Sequence, residues 1–221
     1  MAGPDGSALA AAGRLLGASW GVGWLIELSA VALFGIGLLL TRKDRAGARP
    51  WLVAGVGALL AASVPALSGH AAASGPAIVA LDSIHVLAAG VWVGGLACLL
   101  AVGVPAAGAG GEPSALASTM RGFSSIALPA VGILVLSGVA NTVIHLSLPD
   151  LLQTDYGRIL VLKALVAALA FVIGFYNWRV VRPTLQTDPR ASLLRIPAAV
   201  ELAAALAVLA VTAALVVTAR S

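Results

Sequence analysis

The residues able to do chemistry in this chain lie within, or at the ends of, strongly apolar segments. They are Glu27, His70, Asp82, His85, Asn141, His145 and Lys163. Hydrocarbon penalises such side chains unless they pair or work, so each is a candidate functional residue. Asp82 and His85 are three residues apart, which puts both on one face of a helix. Asn141 and His145 have the equivalent four-residue spacing. Imidazole with carboxylate is a donor set for Cu(II), Zn(II) or another borderline ion, whereas Cu(I) prefers thiolate and thioether. The only sulfur atoms belong to Met1, Met120 and Cys98. Met120 is expected in a loop and Cys98 near the inner end of the third helix, so a sulfur-lined route is not expected. A lone cysteine also excludes an internal disulfide and any C-x-x-C motif.

The elements that must position these residues follow from composition. Of 221 residues, 60% are hydrophobic and only 10% charged, and the mean hydropathy is +1.03. Soluble domains carry roughly 25% charged residues. The chain is therefore expected to be an integral membrane protein, neither a soluble globule nor a disordered chain. A spanning helix needs about 20 apolar residues. Six segments meet that requirement: 19–41, 51–69, 77–103, 123–147, 158–180 and 196–218. The expected fold class is all-α, a polytopic bundle of about six transmembrane helices. Residues 1–18 read as an N-terminal extracytoplasmic segment and 19–219 as the membrane domain. The stretch 104–118 reads as a flexible loop. The first positive side chain is Arg14, so no cleaved signal peptide is expected.

Orientation follows from Lys and Arg. Arg42, Lys43, Arg45, Arg49, Arg121, Arg179, Arg182, Arg190 and Arg195 fall on one side, against Arg14, Arg158, Lys163 and Arg220 on the other. The nine-residue side is expected to be cytoplasmic, with both termini outside. The pI near 10.0 then reflects anchoring to the lipid bilayer, and no nucleic-acid partner is expected. At about 1.5 Å per residue, Glu27 and His85 lie roughly 12 Å below the outer surface and Asp82 roughly 8 Å. His145, His70, Asn141 and Lys163 fall in the same outer half. The expected metal site is thus His85, His145, Asp82 and Glu27, with His70 as the ligand nearest the outside. Lys163 is expected to snorkel or to neutralise an acid.

Other residues read as structural. Gly90 and Gly94, followed by Gly95, are expected to give the third helix a smooth face for close contact. Trp92, seven residues from His85, shares its face in a regular α-helix and is expected to pack the core. Pro65 and Pro129 are expected to kink their helices. Glu201, in the last span, is expected to pair with Asn177 or an arginine.

The segment HVLAAGVWVGGLACLL (His85–Leu100) resembles the copper-resistance D family, CopD (also called PcoD). The likeness continues through FSSIALPAVGILVLSGVAN (Phe123–Asn141) and TDYGRILVLKALV (Thr154–Val166), and covers about residues 80–183. The resemblance implies a bacterial inner-membrane protein of copper handling and import, with a periplasmic CopC-like copper-binding partner. The matching residues are His85, Trp92, Gly94, Gly95, Tyr156, Gly157, Arg158 and Lys163. No attached CopC-like domain or Met-rich stretch accompanies them.

Two other functions compete with copper import. His85 and His145 on adjacent helices are a conceivable axial pair for haem b in an electron carrier, although their depths of about 12 and 3 Å differ. A docking or assembly factor for a periplasmic copper protein is the other. No nucleophile–base–orienter set and no nucleotide-binding motif are recognisable, so neither an enzyme nor an ATP-driven pump is expected.

Overall fold

The computed structural model describes residues 19–42, 47–68, 75–105, 113–181, 183 and 191–218. Among them there is no strand. The helices are α1 (Ser19–Thr41), α2 (Ala48–Ser68), α3 (Pro76–Gly103), α4 (Pro113–His145), the one-turn α5 (Asp150–Gln153), α6 (Asp155–Val181) and α7 (Ala191–Thr218). All but α5 contain a stretch long and apolar enough to cross a membrane. The chain is a multi-pass membrane protein, as its composition requires. Residues 1–18 and His70 lie outside the described residues.

Side chains are distributed as a lipid solvent demands. Large apolar residues such as Leu52, Leu136, Val143 and Leu165 face outward, and alanine supplies most of the buried apolar positions. Without a hydrophobic drive between helices in lipid, small residues allow close packing and dispersion contacts hold the helices together. Hydroxyls are satisfied within their own helices, as hydrocarbon requires: Ser63 donates to Leu59 O, Ser137 to Ile133 O and Thr212 to Val208 O.

The chain divides into two compact units, Met1–Leu87 and Ala88–Ser221. In the first, α1 and α2 pair through small residues. A Cβ added at Gly37 would stand 2.3 Å from the Ala54 nitrogen, and one at Gly57 would stand 2.4 Å from the Phe34 nitrogen. Gly75, with a φ of 102°, starts α3, and its carbonyl accepts from the Ile78 and Val79 amides.

In the second unit, residues 88–103 of α3 share a core with α4, α6 and α7. Its middle holds Trp92, Ala127, Ala130, Ala170 and Ala205. Towards one end follow Leu96, Leu99, Met120, Val181 and Ala198. Two departures from α geometry shape α3: π turns at Gly90–Gly94 and Leu99–Gly103. A third, Asn177–Val181, ends α6.

Three expectations are corrected here. Helix α4 begins at Pro113, within the stretch read as a loop, because proline suits a first helical position and alanine is the best helix former. Met120 is therefore a buried helical residue, 4% exposed, and not a loop residue. Gly90 and Gly94 mediate no close contact, since a Cβ at either would meet nothing within 4 Å. The third glycine of that run, Gly95, does pack closely, and a Cβ there would stand 2.9 Å from the Phe123 ring.

Candidate functional site

The strongest concentration of buried polarity lies in the second unit, where three helices deliver Trp92, Asn177 and Glu201. Trp92 sits in the first π turn of α3 and Asn177 opens the π turn that ends α6. Glu201 lies about three turns into α7. All three are buried, with Glu201 only 6% exposed. Trp92 Nε1 donates to Glu201 Oε1 at 3.2 Å, and Asn177 Nδ2 donates to Glu201 Oε2 at 2.8 Å. The same Nδ2 donates to Pro197 O at 3.2 Å.

Local packing fixes this triad. The Trp92 ring meets Phe171 at 5.1 Å between centroids and 52° between planes, a tilted pairing worth about 0.5–1.5 kcal/mol beyond burial. Gly174, one turn before Asn177, makes room for the carboxylate: a Cβ there would stand 2.8 Å from Glu201 Oε1. A larger residue at 174 and this placement of Glu201 are mutually exclusive.

Beside the triad is a cavity of about 250 Å³. Trp92, Met120, Phe171, Gly174, Asn177 and Glu201 are among its lining residues. Its wall is mostly aromatic and aliphatic, with Glu201 as its carboxylate. Among the described residues Glu201 has no ion-pair partner, and Asn177 Oδ1 is buried without a hydrogen bond. The arrangement is a polar end in an apolar chamber, supplied with acceptors and no cation.

The expected pairing of Glu201 with Asn177 is present. Trp92 packs the core as expected, but it also donates to Glu201, a role that sequence reading missed. The available signal was chemical: a buried indole N–H needs an acceptor, and Glu201 is an acid inside an apolar span. Met120 was missed because the start of its helix was misplaced.

The residues expected at the outer site are distributed as follows. Glu27 is half-buried on α1, and Asp82 and His85 are half-buried on α3, all within the first unit. His145 ends α4 and is exposed, its Nδ1 2.9 Å from Asn141 O. Asn141 and Lys163 are half-buried in the second unit. Asp82, His85, Asn141 and Lys163 each engage another group. Among the described residues, no three His, Cys, Asp or Glu side chains converge as a metal ion would require.

The Thr-Asp-Tyr-Gly-Arg stretch builds a corner between α5 and α6. Thr154 caps α6, its hydroxyl accepting from the Gly157 amide at 3.0 Å. Arg158 Nε donates to Leu152 O at 3.1 Å, and its guanidinium lies 3.5 Å from exposed Asp155. A Cβ at Gly157 would stand 2.2 Å from Asp150 O. Tyr156 is half-buried beside it and engaged. Glycine and arginine here hold the turn together.

Residues 117–215, which include Asn177 and Glu201, match the CopD family, copper resistance protein D. A relative named copper transport protein CutJ, from Bacillus subtilis (strain 168), is 28% identical over 172 residues. That alignment covers 74% of this chain but 31% of the relative, so the chain spans about a third of that protein's length. No solved structure matches the chain. Residues 117–215, where α4, α6 and α7 frame the buried carboxylate, are thus similar to copper resistance protein D.

Proposed function

We propose that this chain is a copper-handling protein of the bacterial inner membrane that takes copper at its outer face and mediates its import. The reading rests on the CopD match over residues 117–215, and the name of the Bacillus relative supports it. The ligands are His85 and His145, with Asp82 and Glu27 as carboxylate donors and His70 as the outermost histidine. Imidazole and carboxylate favour Cu(II) over Cu(I). The Lys and Arg count supports a cytoplasmic position for residues 42–49 and 179–195, with both termini outside. The protein is a carrier and not an enzyme, and a periplasmic CopC-like protein delivers its copper.

Copper loading tests this reading. The full chain, purified in detergent, is loaded with Cu(II), washed and analysed by plasma mass spectrometry beside His85→Ala. Near-stoichiometric copper in the parent, lost in the variant at equal protein yield, is the expected result. A parent that retains no copper, or a variant that retains as much as the parent, overturns the site. A Soret band in the optical spectrum would replace copper by haem as the ligand.

A further inference from the structure

We propose that the cavity among α3, α4, α6 and α7 is a second cation site, selective for a soft monovalent ion, Cu(I) in this chain's setting. Its donors are the Met120 thioether, the Glu201 carboxylate and the Asn177 side-chain carbonyl. The inference rests on the copper-handling reading above, but on different residues.

Charge is the first argument. A carboxylate in an apolar interior is costly unless a counter-charge reaches it. Among the described residues, Glu201 receives two donors, Trp92 and Asn177, both neutral. The orphaned carbonyl is the second. Asn177 is 5% exposed and its Oδ1 has no hydrogen bond among the described residues. Leaving a buried acceptor unmatched costs about 1–3 kcal/mol, and such a group in a native protein calls for an explanation. Both side chains line the adjoining cavity, where a cation would answer both needs.

The identity of the ion follows from what else lines the chamber. Calcium takes at least six oxygen ligands and magnesium near-ideal octahedral oxygen geometry, and the described residues that line the cavity offer no such oxygen shell. Cu(II) and Zn(II) favour imidazole, and no histidine lines the cavity. A thioether selects Cu(I), and Met120 is one of two methionines in the whole chain. The faces of Trp92 and Phe171 add attraction for any cation within about 6 Å. Trp92 and Asn177 both stand on π turns, which concentrate at functional sites.

Position agrees with this assignment. Met120 adjoins Arg121, and the cavity-lining Trp178 adjoins Arg179, so the chamber lies towards the arginine-rich ends of its helices. On the orientation proposed above that end is cytoplasmic. The site therefore exchanges ions with a reducing compartment, and its occupation requires no electron transfer by the protein.

The test uses the full chain in lipid nanodiscs under anaerobic conditions. It is titrated with Cu(I) against a chromophoric Cu(I) chelator, and with Ag(I) as a redox-inert probe. Parent, His85→Ala, Met120→Leu and Glu201→Gln are compared. Parent and His85→Ala are expected to bind Cu(I) with a sulfur scatterer in the X-ray absorption spectrum. Met120→Leu should lose that scatterer, and each cavity variant should weaken Cu(I) and Ag(I) binding by about tenfold or more. Met120→Leu conserves volume and keeps the fold, so it carries the test even where Glu201→Gln unfolds. Parent-like affinity and an unchanged spectrum in Met120→Leu overturn the proposal. If Cu(II) binding that depends on His85 persists without Cu(I) binding in the cavity, this site fails and the outer one stands. If neither ion binds, both fall.

Discussion

Gly174 on α6 lies so close to the Glu201 carboxylate on α7 that a Cβ there would stand 2.8 Å from Oε1. The carboxylate ends a flexible side chain, but hydrogen bonds from Trp92 and Asn177 hold it in place. Gly174→Ala must therefore either part the helices or break those bonds. Overpacking of this kind costs about 1–3 kcal/mol. Thermal unfolding in detergent, followed by circular dichroism, should show a lowered midpoint. Glu201→Ala removes the atoms that clash, so adding Gly174→Ala to it should cost less than Gly174→Ala does alone. Additive losses would mean that the two residues do not compete for one space.

Gly157 and Gly94 test opposite expectations for two residues that both carry the family resemblance. At Gly157 a Cβ would meet backbone, 2.2 Å from Asp150 O and 2.6 Å from Leu151 Cα. Backbone cannot rotate aside, so Gly157→Ala should rank among the exceptional losses, above about 4 kcal/mol. Failure of the protein to accumulate in membranes is the observable. At Gly94 nothing lies within 4 Å. Gly94→Ala should be neutral, or stabilising by up to about 1 kcal/mol through helix propensity. Equal accumulation of the two variants would contradict this distinction.

The contrast between these glycines shows where sequence reading succeeds and where it stops. Six spans follow from composition alone, because hydrocarbon leaves a helix as the ready solution for a continuous apolar run. The Glu201–Asn177 pair was also legible, since a buried acid must find a partner. The seven-residue spacing from His85 to Trp92 was less informative, because it assumes an uninterrupted α-helix. Gly90–Gly94 forms a π turn, which inserts extra residues per turn and is not marked by any residue type. Gly90 and Gly94 fit a packing motif that the structure does not use, whereas Gly37 and Gly57 form the tight contact without that spacing. Helix partners are set by three-dimensional packing, which one chain's periodicity does not contain. Met120 was misplaced for a simpler reason. The segment before it, rich in Gly, Ala and Pro, was read as a loop although alanine favours helix and Pro113 can begin one.

The α1–α2 hairpin gives a prediction confined to the first unit. Gly57 faces Phe34 and Ala30 backbone at 2.4–2.9 Å from a Cβ position. Gly57→Leu should force the two helices apart and remove the dispersion contacts that hold them in lipid. Gly55→Leu, at a position where a Cβ would meet nothing within 4 Å, is the control on the same helix. Gly57→Leu should accumulate less in membranes and unfold at a lower midpoint than Gly55→Leu. Equal accumulation and equal midpoints would show that the hairpin does not depend on this contact.

His145 separates binding from folding. Its side chain is exposed at the end of α4, and its ring contact is with the Asn141 carbonyl of its own helix at 2.9 Å. Exposed side chains without burial or caps change stability by about 0.5 kcal/mol or less, and one local hydrogen bond adds only about 0.5–1.5 kcal/mol net. His145→Ala should therefore unfold within a few degrees of the parent. A copper ligand behaves otherwise. If His145 binds the ion, the variant should lose copper at unchanged abundance, and added Cu(II) should raise the unfolding midpoint less than it does in the parent. His85→Ala is the necessary comparison, because His85 is half-buried and engaged. Its removal should lower copper content and the unfolding midpoint while leaving protein yield unchanged. Copper binding by His145→Ala at the parent level would remove this histidine from the site and leave it as a helix-end residue bonded to its own backbone.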